Sequence, residues 1–114
     1  MGLPASWLTT AEQLCEVLRK EAARLGGSAT IRLQDAVFVE VVDPASGQPS
    51  YQGTWRTPQG IRCGSLTLNS DGSYYAEYDV LNPHPDKPGW FVEAVTAWGR
   101  DGVVKAEPRL LAAV

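Results

Sequence analysis

One run in this chain has clear helical periodicity, and the runs after it mostly have the length and composition of strands. Ala11, Leu14, Cys15, Leu18, Ala22 and Leu25 recur at three- and four-residue spacing, so a helix over Thr10–Leu25 carries a single apolar stripe. Gly26 and Gly27 end it, because glycine takes the left-handed cap conformation without steric cost. A lone helix with a one-sided stripe must bury that stripe against another layer, and the only layer this chain can build is a sheet. The chain is therefore confined to the α+β class.

Local signals set the limits of the helix. Thr9 with Glu12, or Thr10 with Gln13, has capping-box spacing, which would satisfy the free amide groups of the first turn. Leu3, Trp7 and Leu8 would then precede the cap, with Trp7 anchoring the segment to the domain. Glu16 and Lys20 stand one turn apart on the polar side, in the order that favours pairing.

Beyond Gly27 the apolar residues alternate. Thr30–Leu33 and Val37–Val42 are rich in β-branched residues, and Asp43-Pro44-Ala45-Ser46-Gly47 is a turn with proline presetting the backbone. Tyr51–Arg56 is a short strand, closed by Thr57-Pro58-Gln59-Gly60. Ile61–Leu68 is extended, but its apolar phase slips at Gly64-Ser65, which predicts a bulge. A loop over Asn82–Gly89 holds three prolines in eight residues. Trp90–Trp98 fits a helical face through Phe91, Ala94, Val95 and Trp98, and a strand face through Trp90, Val92, Ala94, Thr96 and Trp98. Its β-branched and aromatic content, and the Arg100-Asp101-Gly102 turn into Val103 and Val104, favour the strand. Pro108 marks the last strand as an edge or as its end. The expected architecture is one domain over residues 1–114, with an N-terminal helix packed on a mostly antiparallel, meander-like sheet of five to seven strands. A single helix covers one sheet face and leaves the other open.

Leu66–Val80 is the clearest hairpin, with its turn at Asn69-Ser70-Asp71-Gly72. Alternation puts Tyr74, Ala76, Tyr78 and Val80 on one face of its second strand, and Tyr75, Glu77 and Asp79 on the other. The first set reads as core. The second reads as a solvated acidic face or a recognition surface.

Composition narrows the classes of function. The net charge of −3 and pI near 5.0 give no basic face with which to displace counterions from nucleic acid, so none is expected as a partner. A basic protein would suit the charge better. No apolar run reaches the roughly 18 residues a membrane span requires, and no basic segment followed by an apolar stretch opens the chain. Cys15 and Cys63 are expected as reduced, buried thiols, and the cytoplasm as the compartment.

Few residues offer chemistry. His84, the only histidine, lies between Pro83 and Pro85. It has the chemistry of a general base or a metal ligand, although a rigid, solvent-facing loop residue is the simpler reading. One histidine and two distant cysteines do not make a zinc site, so neither metal nor cofactor is expected. Cys15 and Cys63 alternate with apolar residues and read as core rather than as nucleophiles. Glu77 and Asp79 are the best carboxylate pair, with side chains roughly 7 Å apart on one strand face. Tyr75 beside them favours protein recognition over acid–base work, since tyrosine adds contact area at low entropic cost. Trp7, Trp55, Trp90 and Trp98 are many for this length, and any left exposed would mark a binding surface. Pro85-Asp86-Lys87-Pro88 has PxxP spacing but reads as a stiff loop.

The N-terminal helix, the following strands, and the turn Leu68-Asn69-Ser70-Asp71-Gly72-Ser73-Tyr74 leading into Glu77-Tyr78-Asp79 resemble the YezG-like bacterial antitoxin and immunity proteins. That resemblance implies a non-catalytic bacterial protein that binds and blocks a toxin, with Tyr75, Glu77 and Asp79 as contacts. The residues alone leave three readings: a protein-binding domain acting through Tyr75, Glu77, Asp79 and His84, a ligand-binding or enzymatic domain with a pocket between helix and sheet, and a homodimer through the open sheet face.

Overall fold

The computed structural model describes residues 3–27 and 30–112. Helix α1 spans Ala5–Arg24, and strands β1 (Val37–Val42), β2 (Pro49–Arg56), β3 (Arg62–Leu68), β4 (Ser73–Pro83), β5 (Trp90–Arg100) and β6 (Val103–Ala112) follow. They form one six-stranded sheet in the order β1-β2-β3-β4-β5-β6, every pair antiparallel. The protein is an α+β meander with one helix, as its periodicity implied.

The helix starts earlier than its capping signals suggest. Pro4 is the N-cap, with φ −62°, and no side chain caps the helix, so Thr9 and Thr10 lie inside it. The apolar stripe explains the difference. Leu3 is buried and Trp7 packs on the core one turn before Ala11, and burial of that extra turn outweighs an exposed cap worth about 1 kcal/mol. At the other end, the Gly27 amide donates to Ala22 O at 2.8 Å and the Gly26 amide to Ala23 O at 3.2 Å, with Gly26 at φ +81°. These two bonds make a Schellman cap.

Residues 30–36 correct the expected strand at Thr30–Leu33. They form no strand. They cross the sheet as irregular chain and end in a 3-10 turn at Leu33–Asp35. Ile31 serves burial instead of pairing: it is fully buried, Arg19 Nη1 donates to its carbonyl at 2.6 Å, and Trp55 Nε1 donates to the Arg32 carbonyl at 2.8 Å. This crossing segment and α1 share one face of the sheet, α1 lying over β4, β5 and β6. The core between them holds Leu14, Leu18, Leu25, Leu66, Leu68, Tyr74, Ala76, Val92, Val95 and Ala97.

Three aromatic rings on that face each lie over a glycine directly opposite in register. Phe38 faces Gly53, Tyr78 faces Gly64 and Tyr74 faces Gly99. A Cβ at Gly53 would stand 2.7 Å from the Phe38 ring, and one at Gly64 2.7 Å from the Tyr78 ring. The missing side chains let the rings lie flat on the sheet and fill the core there. Tyr78 also meets Trp55 edge-to-face, with centroids 5.6 Å apart.

Trp90–Trp98 is strand, as its composition favoured. The Arg100–Val103 reversal is a two-residue turn with Asp101 at φ 51° and Gly102 at φ 86°, the type I′ geometry that matches strand twist. Pro108 lies on an edge strand but does not end it, since β6 continues to Ala112. The bulge expected at Gly64-Ser65 falls one residue earlier: Trp55 pairs Gly64 while Arg56 pairs Arg62, leaving Cys63 as the extra residue. A second irregularity, silent in the sequence, leaves Glu93 unpaired between Val92 and Ala94. Both cysteines are free. Cys15 is buried, whereas Cys63, expected in the core, is half-buried and packs against its margin, with its thiol 3.6 Å from the Tyr78 hydroxyl.

Candidate functional site

The face of the sheet turned away from α1 carries the residues singled out in β4. Register arranges them in rows across three hairpins. Thr67, Tyr75, Trp98 and Lys105 form one row, Ser65, Glu77, Thr96 and Glu107 the next, and Asp79, Ala94 and Arg109 the third. Tyr75 is 38% exposed and Trp98 half-buried, so the row holds an aromatic pair directly opposite one another and open to solvent.

Glu77 is the hub of this surface. Its Oε2 accepts from Arg109 Nη2 at 2.7 Å, and its Oε1 lies 3.5 Å from Arg62 Nη2. The same Arg109 nitrogen reaches the Tyr75 hydroxyl at 3.3 Å. Arg109 stands one row from Glu77, opposite Ala94, and the small alanine between them leaves room for the guanidinium to lean across. Its bond to Glu77 and the charge there hold the Arg109 guanidinium above its ordinary pKa. Glu77 is thus held between two arginines, Arg62 on the adjacent β3 and Arg109 on the edge strand β6, so the β4 stripe is a fixed, charge-balanced network and not an acidic patch.

Asp79 differs from its neighbour. It is exposed and makes no ion pair among the described residues. Partial burial, then the nearby charges of Glu77 and Glu93, push its carboxyl above the usual range. It borders a small hollow of about 220 Å³ with Arg62, Cys63, Glu77 and Arg109. On the other side of the Arg109 network lies a cleft of about 560 Å³ whose walls include Tyr75, Thr96, Trp98, Glu107 and Arg109. Thr96 Oγ donates to the Glu107 carbonyl at 2.8 Å, which fastens β5 to the edge strand at the cleft floor.

The structure does not bring His84 to this surface. Its Nδ1 accepts from the amides of Asp86 and Lys87 at 3.0 and 3.1 Å, and its own amide donates to the Trp90 carbonyl at 2.9 Å. It organises the proline loop and lines neither of these cavities. A hollow of about 330 Å³ does lie where the first turns of α1 meet the sheet turns, lined by residues such as Trp7, Tyr74 and Asp101. It gathers neither His84 nor a set of carboxylates.

Sequence reasoning missed Arg62, Arg109, Trp98 and Glu107 as companions of the β4 stripe. Trp98 was visible as an alternating aromatic, but its position opposite Tyr75 depends on the register of the β4–β5 hairpin. Arg109 was hidden further, because it reaches Glu77 diagonally from the edge strand, across β5 and through the register of a second hairpin.

Among the described residues, no three His, Cys, Asp or Glu side chains gather closely enough to hold a metal ion, and no helix is long and apolar enough to cross a membrane. The fold and site define a small α+β domain without an evident catalytic or metal-binding group among those residues. No protein-family model matches the chain, and no curated protein or solved structure matches it significantly.

Proposed function

We propose that this chain is a non-catalytic protein-binding domain of the immunity or antitoxin kind that engages its partner through the helix-free sheet face. The observation that carries the reading is the cleft between Tyr75 and Trp98, set beside an arginine network already locked by Glu77. Exposed aromatic anchors flanked by immobilised polar groups are what a binding hot spot requires, since little side-chain entropy is left to lose. The carboxylates of Asp79 and Glu107 stand outside every ion pair described, as does Lys105 in the Tyr75–Trp98 row, so this face offers a partner unpaired carboxylates beside the aromatic pair without a net negative charge. A cationic side chain of a basic partner, placed over the Trp98 or Tyr75 ring and against Glu107, satisfies both features.

The test is capture of the partner from the native host by the tagged chain, followed by titration of the purified pair. Asp79→Lys combined with Glu107→Lys should weaken binding at least tenfold while the circular dichroism spectrum is unchanged. Binding equal to that of the unmodified chain would sink the assignment of this face. The size of the cleft also favours a second reading, a small-ligand site, because about 560 Å³ lies within the range of such pockets. Native mass spectrometry of chain purified from its host separates the two. A bound small molecule of constant mass supports the ligand reading, and a protein adduct supports the first.

A further inference from the structure

The two edges of the sheet are built differently. At β6, Pro108 interrupts the row of amide donors, Lys105 and Arg109 place charge along the strand, and the Glu93 bulge of its neighbour breaks the regular ladder. At β1, Val-Phe-Val-Glu-Val-Val has no proline, no lysine and no bulge, and it pairs only with β2. Val37, Val39 and Val41 are 67%, 54% and 40% exposed, a valine at every second position on the helix-free face. Six flat residues of high β propensity with one charge are the kind of edge that pairs with another strand.

The hydrogen-bond phase of β1 is known from its turn. The Asp43 amide donates to Gln48 O at 2.9 Å, and Ser50 Oγ donates to the Val41 carbonyl. With Asp43 bonded to Gln48, alternation along the ladder turns the backbone groups of residues 37, 39 and 41 toward β2. Phe38, Glu40 and Val42 therefore direct their N–H and C=O groups out of the free edge.

We infer that β1 pairs antiparallel with β1 of a second copy of this chain, about a two-fold axis midway between the two Val39 residues, to form a continuous twelve-stranded sheet across the dimer. An antiparallel two-fold pairing keeps the same face of both copies on one side, so the paired residue numbers must sum to an even number. A sum of 78 places Val37 opposite Val41 of the copy, Val39 opposite Val39, and Phe38 opposite Glu40. The exposed valines then form an unbroken cross-strand ladder, and the outward groups of residues 38 and 40 exchange four hydrogen bonds across the interface. A sum of 80 would place Glu40 opposite Glu40, which like-charge repulsion disfavours. The edge is thus complementary to itself in this register, with nothing foreign required. This interface leaves the Tyr75–Trp98 cleft free, so it stands or falls separately from the proposed function.

Light scattering across a concentration series, with oxidative cross-linking, tests the pairing. The mass should rise from 12.3 kDa toward twice that value as concentration increases. Val39→Cys should form an intermolecular disulfide under mild oxidation, because facing residues of a non-hydrogen-bonded pair lie about 4.5 Å apart, within disulfide reach. The unmodified chain, with Cys15 buried and Cys63 half-buried, is the control. Val39→Lys should be monomeric with an unchanged circular dichroism spectrum, since Val39 lies outside the core. A mass of one chain at every concentration, or a dimer that Val39→Lys leaves intact, would overturn the inference. So would amides 38, 40 and 42 gaining protection from exchange only when a different protein is added.

Discussion

Glu77 and Arg109 lie 32 residues apart in sequence and on strands that do not pair, yet their side chains close a 2.7 Å charge-assisted hydrogen bond across β5. The bond joins the centre of the sheet to its edge strand. It also fixes the guanidinium that separates the two cavities of the helix-free face. Because Glu77 is only about one-fifth exposed, the pair is screened less than a surface ion pair.

A double-mutant cycle with Glu77→Gln and Arg109→Gln should therefore yield a coupling of about 1 kcal/mol in urea denaturation, above the median for exposed pairs. The matching cycle at Glu16 and Lys20, which stand 3.6 Å apart on the surface of α1, should yield a smaller coupling.

Gly99 admits no side chain. A Cβ there would lie 1.7 Å from the Val103 carbonyl oxygen, and the same carbonyl accepts the Tyr74 hydroxyl at 2.7 Å. Gly99→Ala should cost about 3 kcal/mol, because it displaces the β5–β6 backbone and breaks that hydrogen bond. Gly53→Ala meets only the Phe38 ring, which can swing aside near the sheet edge, and should cost about 1 kcal/mol. Thermal denaturation ranks the two.

Alkaline pH should weaken the fold in two stages. Burial pushes the Cys15 thiol up to about 11, and the Tyr78 phenol is pushed up to about 12 by burial and by the Cys63 thiol hydrogen-bonded to it. Both groups keep their protons longer in the folded chain than in the unfolded one, so stability falls as pH rises through each window. The Cys15 window opens near pH 9 and is worth about 2–3 kcal/mol by pH 11. Tyr78 adds a smaller loss above pH 10, because its ring is partly exposed to solvent. Cys15→Ala should flatten the denaturation profile between pH 9 and 11 and leave the later fall in place.

Asp79 follows the same sign in acid. Its carboxyl is raised, so the folded state binds its proton more tightly, and stability contributed by that proton is lost as pH rises above the ordinary carboxylate range. Asp79→Asn should stabilise the chain at pH 7 by less than about 1 kcal/mol, the repulsion being largely screened. The gain should be smaller at pH 4, where the raised carboxyl takes up its proton before an ordinary one would. Urea midpoints at the two pH values check this.

The legible part of the fold was the part set by local pattern. The α1 stripe, the Gly26-Gly27 stop, the hairpin at Asn69–Gly72 and the alternation of Tyr74 against Tyr75 all follow from spacing and turn chemistry. Residues 30–36 were misread because β-branched residues serve a buried crossing as well as they serve a strand. The site was half legible. Tyr75, Glu77 and Asp79 share a face by alternation alone, but the partners of that stripe come from other strands, Trp98 through the register of the β4–β5 hairpin and Arg109 diagonally from the edge strand, and alternation along β4 specifies neither. The charge of the face was misjudged for that reason: Arg62 and Arg109 arrive from other strands.

The central claim is that the Tyr75–Trp98 cleft is where a partner docks. Titration of the captured partner against the unmodified chain, Trp98→Ala and His84→Ala tests it most directly, with circular dichroism confirming that each variant is folded. The account predicts that Trp98→Ala weakens binding about thirtyfold, the loss of an anchor worth about 2 kcal/mol, while His84→Ala binds like the unmodified chain. Undiminished binding by a folded Trp98→Ala would contradict it.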